Sequence, residues 1–288
     1  MKRHLVLPFA AALVLGPGLS ARAQDAPARA ALCDPAAAPG VSVRQTSSAR
    51  PYRLFIPADA TAPLPLVLDL HGSGGSAEGQ ARTSGLESLA AGEGFAVATL
   101  EADTGRRWNV PVTAERADDV AYASDVIDSV GTYACIDTNR VYATGFSGGG
   151  RMTSLIGCRL NDRIAAIAPV AGLRWPGPCD GGPVPLITFH GLADPQNPYD
   201  GGVDGRGGEW VESVPDALAA WSTHNGCTSD LILEDPAGPL STMRYEGCND
   251  GAEVRIIRID DLGHTWPRDE IDATAAMWEF FKGHRLPE

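Results

Sequence analysis

Apolar residues along this chain follow two rhythms. Leu66-Val67-Leu68-Asp69-Leu70, Phe95-Ala96-Val97-Ala98, Val141-Tyr142-Ala143-Thr144, Ile164-Ala165-Ala166-Ile167 and Leu186-Ile187-Thr188-Phe189 are short, nearly unbroken apolar runs. Such runs belong to strands buried on both faces. Between them the spacing becomes helical: Val120, Ala123, Ile127 and Val130 share one helical face, as do Met152, Leu155 and Ile156. Strands alternating with helices need crossover connections, which predicts an α/β fold with a mostly parallel central sheet flanked by helices. A first strand is expected near Tyr52 to Ile56, a late one over Val254 to Ile259, and a closing amphipathic helix over Ala273 to Lys282. Ser213-Val214-Pro215-Asp216 resembles a capping box opening a helix through Leu218 and Trp221. No repeat or long linker divides the chain, so one domain is expected over residues 50–288, with the glycine-rich segment Gly201 to Gly208 as a rim loop.

Composition narrows the class. With 288 residues, 44% of them hydrophobic and 20% charged, the chain has the make-up of a globular protein with a sizeable core. A formal charge of −13 and the lack of any lysine-rich or arginine-rich run set nucleic acid aside as a partner. The start reads as an export signal over residues 1–23: a basic Lys2-Arg3-His4, an apolar run from Leu5 to Leu15, and Ala21-Arg22-Ala23 as the cleavage site. That run is too short to span a bilayer. Secretion, to the periplasm or the medium, is therefore expected, with no membrane attachment after cleavage. Residues 24–49, rich in Ala, Pro and Ser, read as a flexible arm.

Six cysteines in an exported chain suggest disulfides. Cys158 with Cys179 and Cys227 with Cys248 are the pairs nearest in sequence, which leaves Cys33 to tie the arm to Cys135. No C-x-x-C spacing occurs, and His190 with Asp194 lacks a third ligand, so no metal is implied.

The strongest chemical signal is Gly145-Phe146-Ser147-Gly148-Gly149, a G-x-S-x-G directly after a strand pattern and directly before a helical one. That context is the nucleophile elbow, whose serine occupies a sharp turn at a helix N-terminus. A serine hydroxyl needs a base, and the base needs a carboxylate to hold its tautomer. In the order Ser, acid, His, only His224, His264 and His284 follow both Ser147 and a suitable acid. His264, in a loop after the last strand, is favoured over the other two, which lie in helical patterns. Asp194, just beyond the run ending at Phe189, is preferred as the acid to Asp200 on the same loop; Asp260 and Asp261 lie too close to His264 in sequence. An oxyanion needs two donors, and the amides of Gly148 and of Ser73, in the loop His71-Gly72-Ser73-Gly74-Gly75, are expected to supply them. His71 is expected to support that loop rather than act as base. Trp108, Trp210 and Trp266 are candidates for lining the substrate pocket, and Asp118-Asp119 reads as a helix cap.

Taken together, the six segments Leu70-His71-Gly72-Ser73-Gly74-Gly75-Ser76, Arg107-Trp108-Asn109, Gly145 to Gly150, His190-Gly191-Leu192-Ala193-Asp194, Pro198-Tyr199-Asp200-Gly201-Gly202 and Gly263-His264-Thr265-Trp266-Pro267 resemble the secreted polyhydroxybutyrate depolymerase-like esterases and feruloyl esterases. The resemblance runs from about Tyr52 to the C-terminus. It implies an α/β-hydrolase fold in which the residues matching Ser147, Asp194 and His264 form the triad. Many such relatives carry a cysteine where this chain has Ser73, a change that leaves the backbone donor in place. The resemblance further implies hydrolysis of carboxylic esters through an acyl-enzyme, with no organic cofactor. Relatives acting on solid polyester usually add a polymer-binding domain, and no such domain is read in this sequence. The expectation is accordingly a feruloyl (hydroxycinnamoyl) esterase on plant cell-wall polysaccharide esters, with hydroxyalkanoate oligomers as the alternative. A prolyl oligopeptidase-like peptidase and a scaffold without catalysis are the more remote readings. Acyl group, alcohol and oligomeric state are not encoded in the spacing.

Overall fold

The structure is a computed structural model that describes residues 37–59, 63–103, 105–179, 181–203, 209–210, 212–234 and 238–287. Its strands are β1 (Gly40–Gln45), β2 (Pro51–Ile56), β3 (Leu64–Leu70), β4 (Ala96–Leu100), β5 (Ile136–Phe146), β6 (Ala166–Val170), β7 (Leu186–Gly191), β8 (Gly202–Val203), β9 (Glu209–Trp210), β10 (Ile232–Glu234), β11 (Leu240–Tyr245) and β12 (Val254–Ile259). The helices are α1 (Ala77–Ser84), α2 (Leu86–Glu93), α3 (Asp119–Gly131), α4 (Gly148–Arg159), α5 (Val214–His224) and α6 (Ala273–Lys282). Ten strands form one sheet in the order β1-β2-β4-β3-β5-β6-β7-β12-β11-β10. From β4 to β12 neighbours are parallel; β1-β2 and β11-β10 close the two edges antiparallel.

The central strands are apolar on both faces because helices cover both. Leu66, Leu68 and Leu70 of β3 pack with α3, α4 and α5 in one core, whereas Val67, Val97 and Tyr142 point the other way, into a second core with α2 and α6. Alternate side chains of one strand thus belong to different cores, as a period of two requires. On the second face Asp69 is fully buried, and Gln80 and Ser84 of α1 donate to its two carboxylate oxygens, each at 2.7 Å. Burial pushes that carboxyl up to about 7 despite those two donors.

Three expectations need correction. Residues 24–49 were expected as an arm, but Gly40–Gln45 is a strand paired with β2. It escapes a hydrophobic reading because it is an edge strand whose Val41 and Val43 face solvent, 48% and 73% exposed. The strand expected at 164–167 runs instead from Ala166 to Val170, since Ile164 and Ala165 are buried in the turn that enters it. In the rim segment Gly201–Gly208, β8 pairs antiparallel with β9, while 204–208 lie outside the described residues. The helix caps follow expectation: Ser213 Oγ accepts from the Asp216 amide and Asp118 from the Val120 and Ala121 amides.

Two of the three expected disulfides are present, Cys158–Cys179 and Cys227–Cys248. Cys135 is also disulfide-bonded; Cys33, the partner expected for it, lies outside the described residues, as do residues 1–23. Among the described residues no helix is long and apolar enough to cross a membrane.

Candidate active site

Because β3, β5, β6, β7 and β12 are parallel, their C-terminal ends meet on one edge of the sheet, where an α/β fold gathers its working loops. Ser147 follows β5 and stands at the N-cap of α4 with φ 54° and ψ −114°, a left-handed conformation that costs a non-glycine residue on the order of 1–3 kcal/mol. Two backbone bonds hold it there: its N–H donates to Val170 O at 2.9 Å, and its carbonyl accepts from Arg151 N at 3.0 Å. The elbow is also sterically tight. A Cβ on Gly149 would run into the Leu70 carbonyl, so only glycine lets α4 approach β3 this closely.

His264 lies in the loop after β12, and its ring joins the two other residues. Ser147 Oγ–H donates to His264 Nε2 at 2.8 Å, and His264 Nδ1–H donates to Asp194 Oδ2 at 2.6 Å. Phe146, the variable residue of the elbow, packs against the imidazole with ring centroids 4.9 Å apart. Asp194 sits just beyond β7, and its other oxygen, Oδ1, accepts from the Gln196 amide at 2.8 Å and the Asn197 amide at 2.9 Å. Burial alone would raise this carboxyl, but the His264 bond and the two amides outweigh it and hold its pKa below the usual value. Asp194 is therefore the ionised partner that keeps His264 Nδ1 protonated and Nε2 free to accept. Asp200 is exposed, and His224 and His284 bond or stack elsewhere, against Gly182 O and Phe280.

Ser73 and Gly148, the two residues expected to supply oxyanion donors, lie against each other. A Cβ on Gly148 would overlap Ser73 Oγ and stand 3.2 Å from Ser73 N, which places the two backbones side by side above the elbow. Gly148 is the first residue of α4, where amides have no partner within the helix. The loop is shaped from below. His71 Nε2 accepts the Ala102 N–H at 3.0 Å, which leaves Nδ1 as the protonated nitrogen, and Nδ1–H donates to Gly72 O at 2.7 Å. Burial lowers the His71 pKa and keeps it neutral. Gly74 N–H donates to Arg106 O at 2.8 Å, tying the loop to the segment after β4.

The tryptophans depart from expectation. Trp108, 3% exposed, donates its indole N–H to His71 O at 2.7 Å and stacks at a tilt on the His71 ring. Trp266, 4% exposed, donates to Thr274 Oγ1 at 3.0 Å within the second core. Both act as supports behind the site rather than as an open lining, because an indole with one polar edge is easily satisfied in a core. Trp210 lies in β9, and its side chain is outside the described residues.

Sequence reasoning missed the polar frame beneath the acid. His190 is buried, and its Nε2–H donates to Asn197 O at 2.8 Å while standing 3.6 Å from Asp194 Oδ2. Burial lowers its pKa, so this second histidine is a neutral donor. Asn197 in turn reaches Arg151 of α4. His190 opens the segment that ends at Asp194, but nothing in that spacing marks it as a donor to Asn197, and Asn197 lies in no motif.

The family described as Esterase PHB depolymerase matches residues 50–177, which hold β2 to β6, the oxyanion loop and the elbow. Feruloyl esterase B of Piromyces equi is 32% identical over 239 residues, 77% of this chain, but the match spans only 42% of that protein's own length. The putative esterase NocK of Nocardia uniformis subsp. tsuyamanensis is 34% identical over 244 residues, 76% of this chain and 71% of that protein. Among solved structures, an acetyl xylan esterase from Aspergillus awamori superposes with a TM-score of 0.62 at 15% identity, over 84% of this chain and 99% of the other. That likeness speaks for the fold.

Proposed function

From the premise that the chain belongs to the family of polyhydroxybutyrate depolymerase-like esterases and feruloyl esterases, we propose an exported serine esterase that cleaves hydroxycinnamoyl esters of plant cell-wall polysaccharides through an acyl-enzyme. The observation that carries this reading is the unbroken chain of bonds from Ser147 Oγ through His264 to Asp194. Ser147 Oγ attacks the ester carbonyl carbon while His264 Nε2 takes its proton. The Ser73 and Gly148 amides receive the negative charge that develops on the carbonyl oxygen, and Asp194 stabilises the imidazolium. Collapse expels the alcohol, which takes the proton from Nε2. Water, activated by the same nitrogen, then releases the acid and restores Ser147.

The elbow's strained serine is held ready for this attack, since its two backbone bonds and the close glycine contacts leave its main chain little freedom. The acyl preference is supported by the relatives named feruloyl esterases. A second reading, hydroxyalkanoate oligomers, is favoured by the family description that covers residues 50–177. Export is supported by the disulfides, which persist in oxidising compartments.

The test is release of ferulate from methyl ferulate by the purified protein beside Ser147→Ala. Release that disappears in the variant is expected. Turnover by the variant at the wild-type rate would refute Ser147 as nucleophile. No release by wild type, with hydrolysis of a hydroxybutyrate oligomer instead, would move the substrate class to the second reading.

A further inference from the structure

Asn197 is 1% exposed and makes four hydrogen bonds to four different residues. Its N–H donates to Asp194 Oδ1 at 2.9 Å, and its carbonyl accepts from His190 Nε2–H at 2.8 Å. Its side-chain amide donates through Nδ2 to Ala171 O at 2.5 Å, and its Oδ1 accepts from Arg151 Nη2 at 3.2 Å. A loop asparagine ordinarily bonds to its own turn. Here the side chain is instead committed to two other segments, the exit of β6 and the first turns of α4.

Those two segments are the ones that hold the nucleophile. Ala171 follows Val170, whose carbonyl accepts the Ser147 N–H, and Arg151 is the residue whose N–H bonds to Ser147 O. Ala171 itself is held at φ 48°, a strained conformation maintained next to the elbow. The main chain of Asn197 therefore grips the acid, and its side chain bonds to Ala171, the residue next to one backbone anchor of the serine, and to the guanidinium of Arg151, the residue that supplies the other. We propose that Asn197 is a positioning residue that fixes the acid loop to the nucleophile elbow, so that Asp194 stays on His264 while His264 stays on Ser147. It touches neither substrate nor a reacting atom. The inference deepens the ester-hydrolase reading and rests on it.

The groups facing the pair are His190, 3.6 Å from Asp194 Oδ2, and His264; Arg151 approaches from α4, and Arg174, paired with Glu212 at 3.8 Å, lies beyond it. An aligned, ionised Asp194 stabilises the His264 imidazolium. Letting it drift makes the imidazolium less stable, so the acid limb of the rate profile moves to lower pH.

The experiment compares wild type, Asn197→Ala, Arg151→Met and the double variant. Reactive sites are counted by an organophosphonate, and kcat per labelled site and KM are measured for methyl ferulate, or for a 4-nitrophenyl ester if methyl ferulate is not turned over, across pH. Asn197→Ala keeps both main-chain bonds and removes both side-chain ones. Its kcat per labelled site is expected to fall about tenfold to a hundredfold, the scale of a small misplacement of reacting groups. KM should change little and the acid limb should shift down. Arg151→Met should show a smaller loss in the same direction, and the double variant should be no worse than Asn197→Ala, as expected for one coupled unit. An unchanged kcat per labelled site, however far the melting temperature falls, would overturn the proposal. So would a loss without a shifted limb, or losses that add. If Asn197→Ala does not fold, the same criteria apply to Arg151→Met alone. A wild type that neither labels at Ser147 nor turns over an ester would instead sink the reading of the site, and this inference with it.

Discussion

The two halves of the candidate site are built by different physics. On the nucleophile side, shape decides: Ser147 is turned out by a strained elbow, and Gly149 lies so close to Leu70 that a methyl group has no room. On the acid side, hydrogen bonds decide: Asp194 accepts from two amides and the imidazole, and His190 and Asn197 frame it from beneath. The contrast follows from what each half must do. A serine must be presented at one fixed point, which close-packed backbone does best. A carboxylate must stay ionised in a buried setting, which only donors can achieve.

Substitutions should separate the halves. Asp194→Asn keeps the shape and loses the charge, so kcat is expected to fall on the order of ten-thousandfold, as for the matching aspartate of another serine hydrolase, or about 5 kcal/mol. Melting temperature should change little, and a fall below a hundredfold would argue that another group orients His264. Gly149→Ala tests the other half. The overlap with the Leu70 carbonyl should cost about 3 kcal/mol of stability, roughly 6–12 °C in melting temperature. A variant that melts within a degree or two of wild type would show that the elbow can relax.

An effect that depends on pH is expected at Asp69, whose carboxyl is raised to about 7 from an ordinary 3.8. Between those values the folded chain holds a proton that the unfolded chain has released. The associated stability is therefore complete below about pH 4 and is lost as pH rises towards 7, with a slope of at most about 1.4 kcal/mol per pH unit. Asp69→Asn should remove that slope, and melting curves of both proteins from about pH 4 to 8 will check it; parallel curves would contradict the buried carboxyl's role. The mildest change is Trp108→Phe, which forfeits the 2.7 Å bond to His71 O and should cost about 1 kcal/mol of stability, measurable by chemical denaturation. No loss would mean that the His71 bonds and the Gly74–Arg106 bond set the loop without the indole.

What could be read from sequence divides along the same line. The strands β3, β5, β7 and β12 were legible because helices on both faces leave mostly apolar positions in their centres. The elbow was legible because its glycines are chemical necessities. Helix α1 was not, since AEGQARTS turns Gln80 and Ser84 inward to satisfy Asp69, and a polar core leaves no hydrophobic period. Asn197 was silent, and the role of His190 was not readable from its motif, for the same reason: a hydrogen-bonding frame is specified by three-dimensional approach, not by spacing. Trp108 and Trp266 were over-read, because an indole needs only one acceptor to be content inside a core.

The central claim is that Ser147, activated by His264, is the nucleophile. An organophosphonate adduct located by peptide mass analysis tests it most directly. The account predicts one adduct per chain, on Ser147, and a sharply slower reaction in Asp194→Asn. An adduct on any other residue, or none on a folded protein that still hydrolyses an ester, would contradict it.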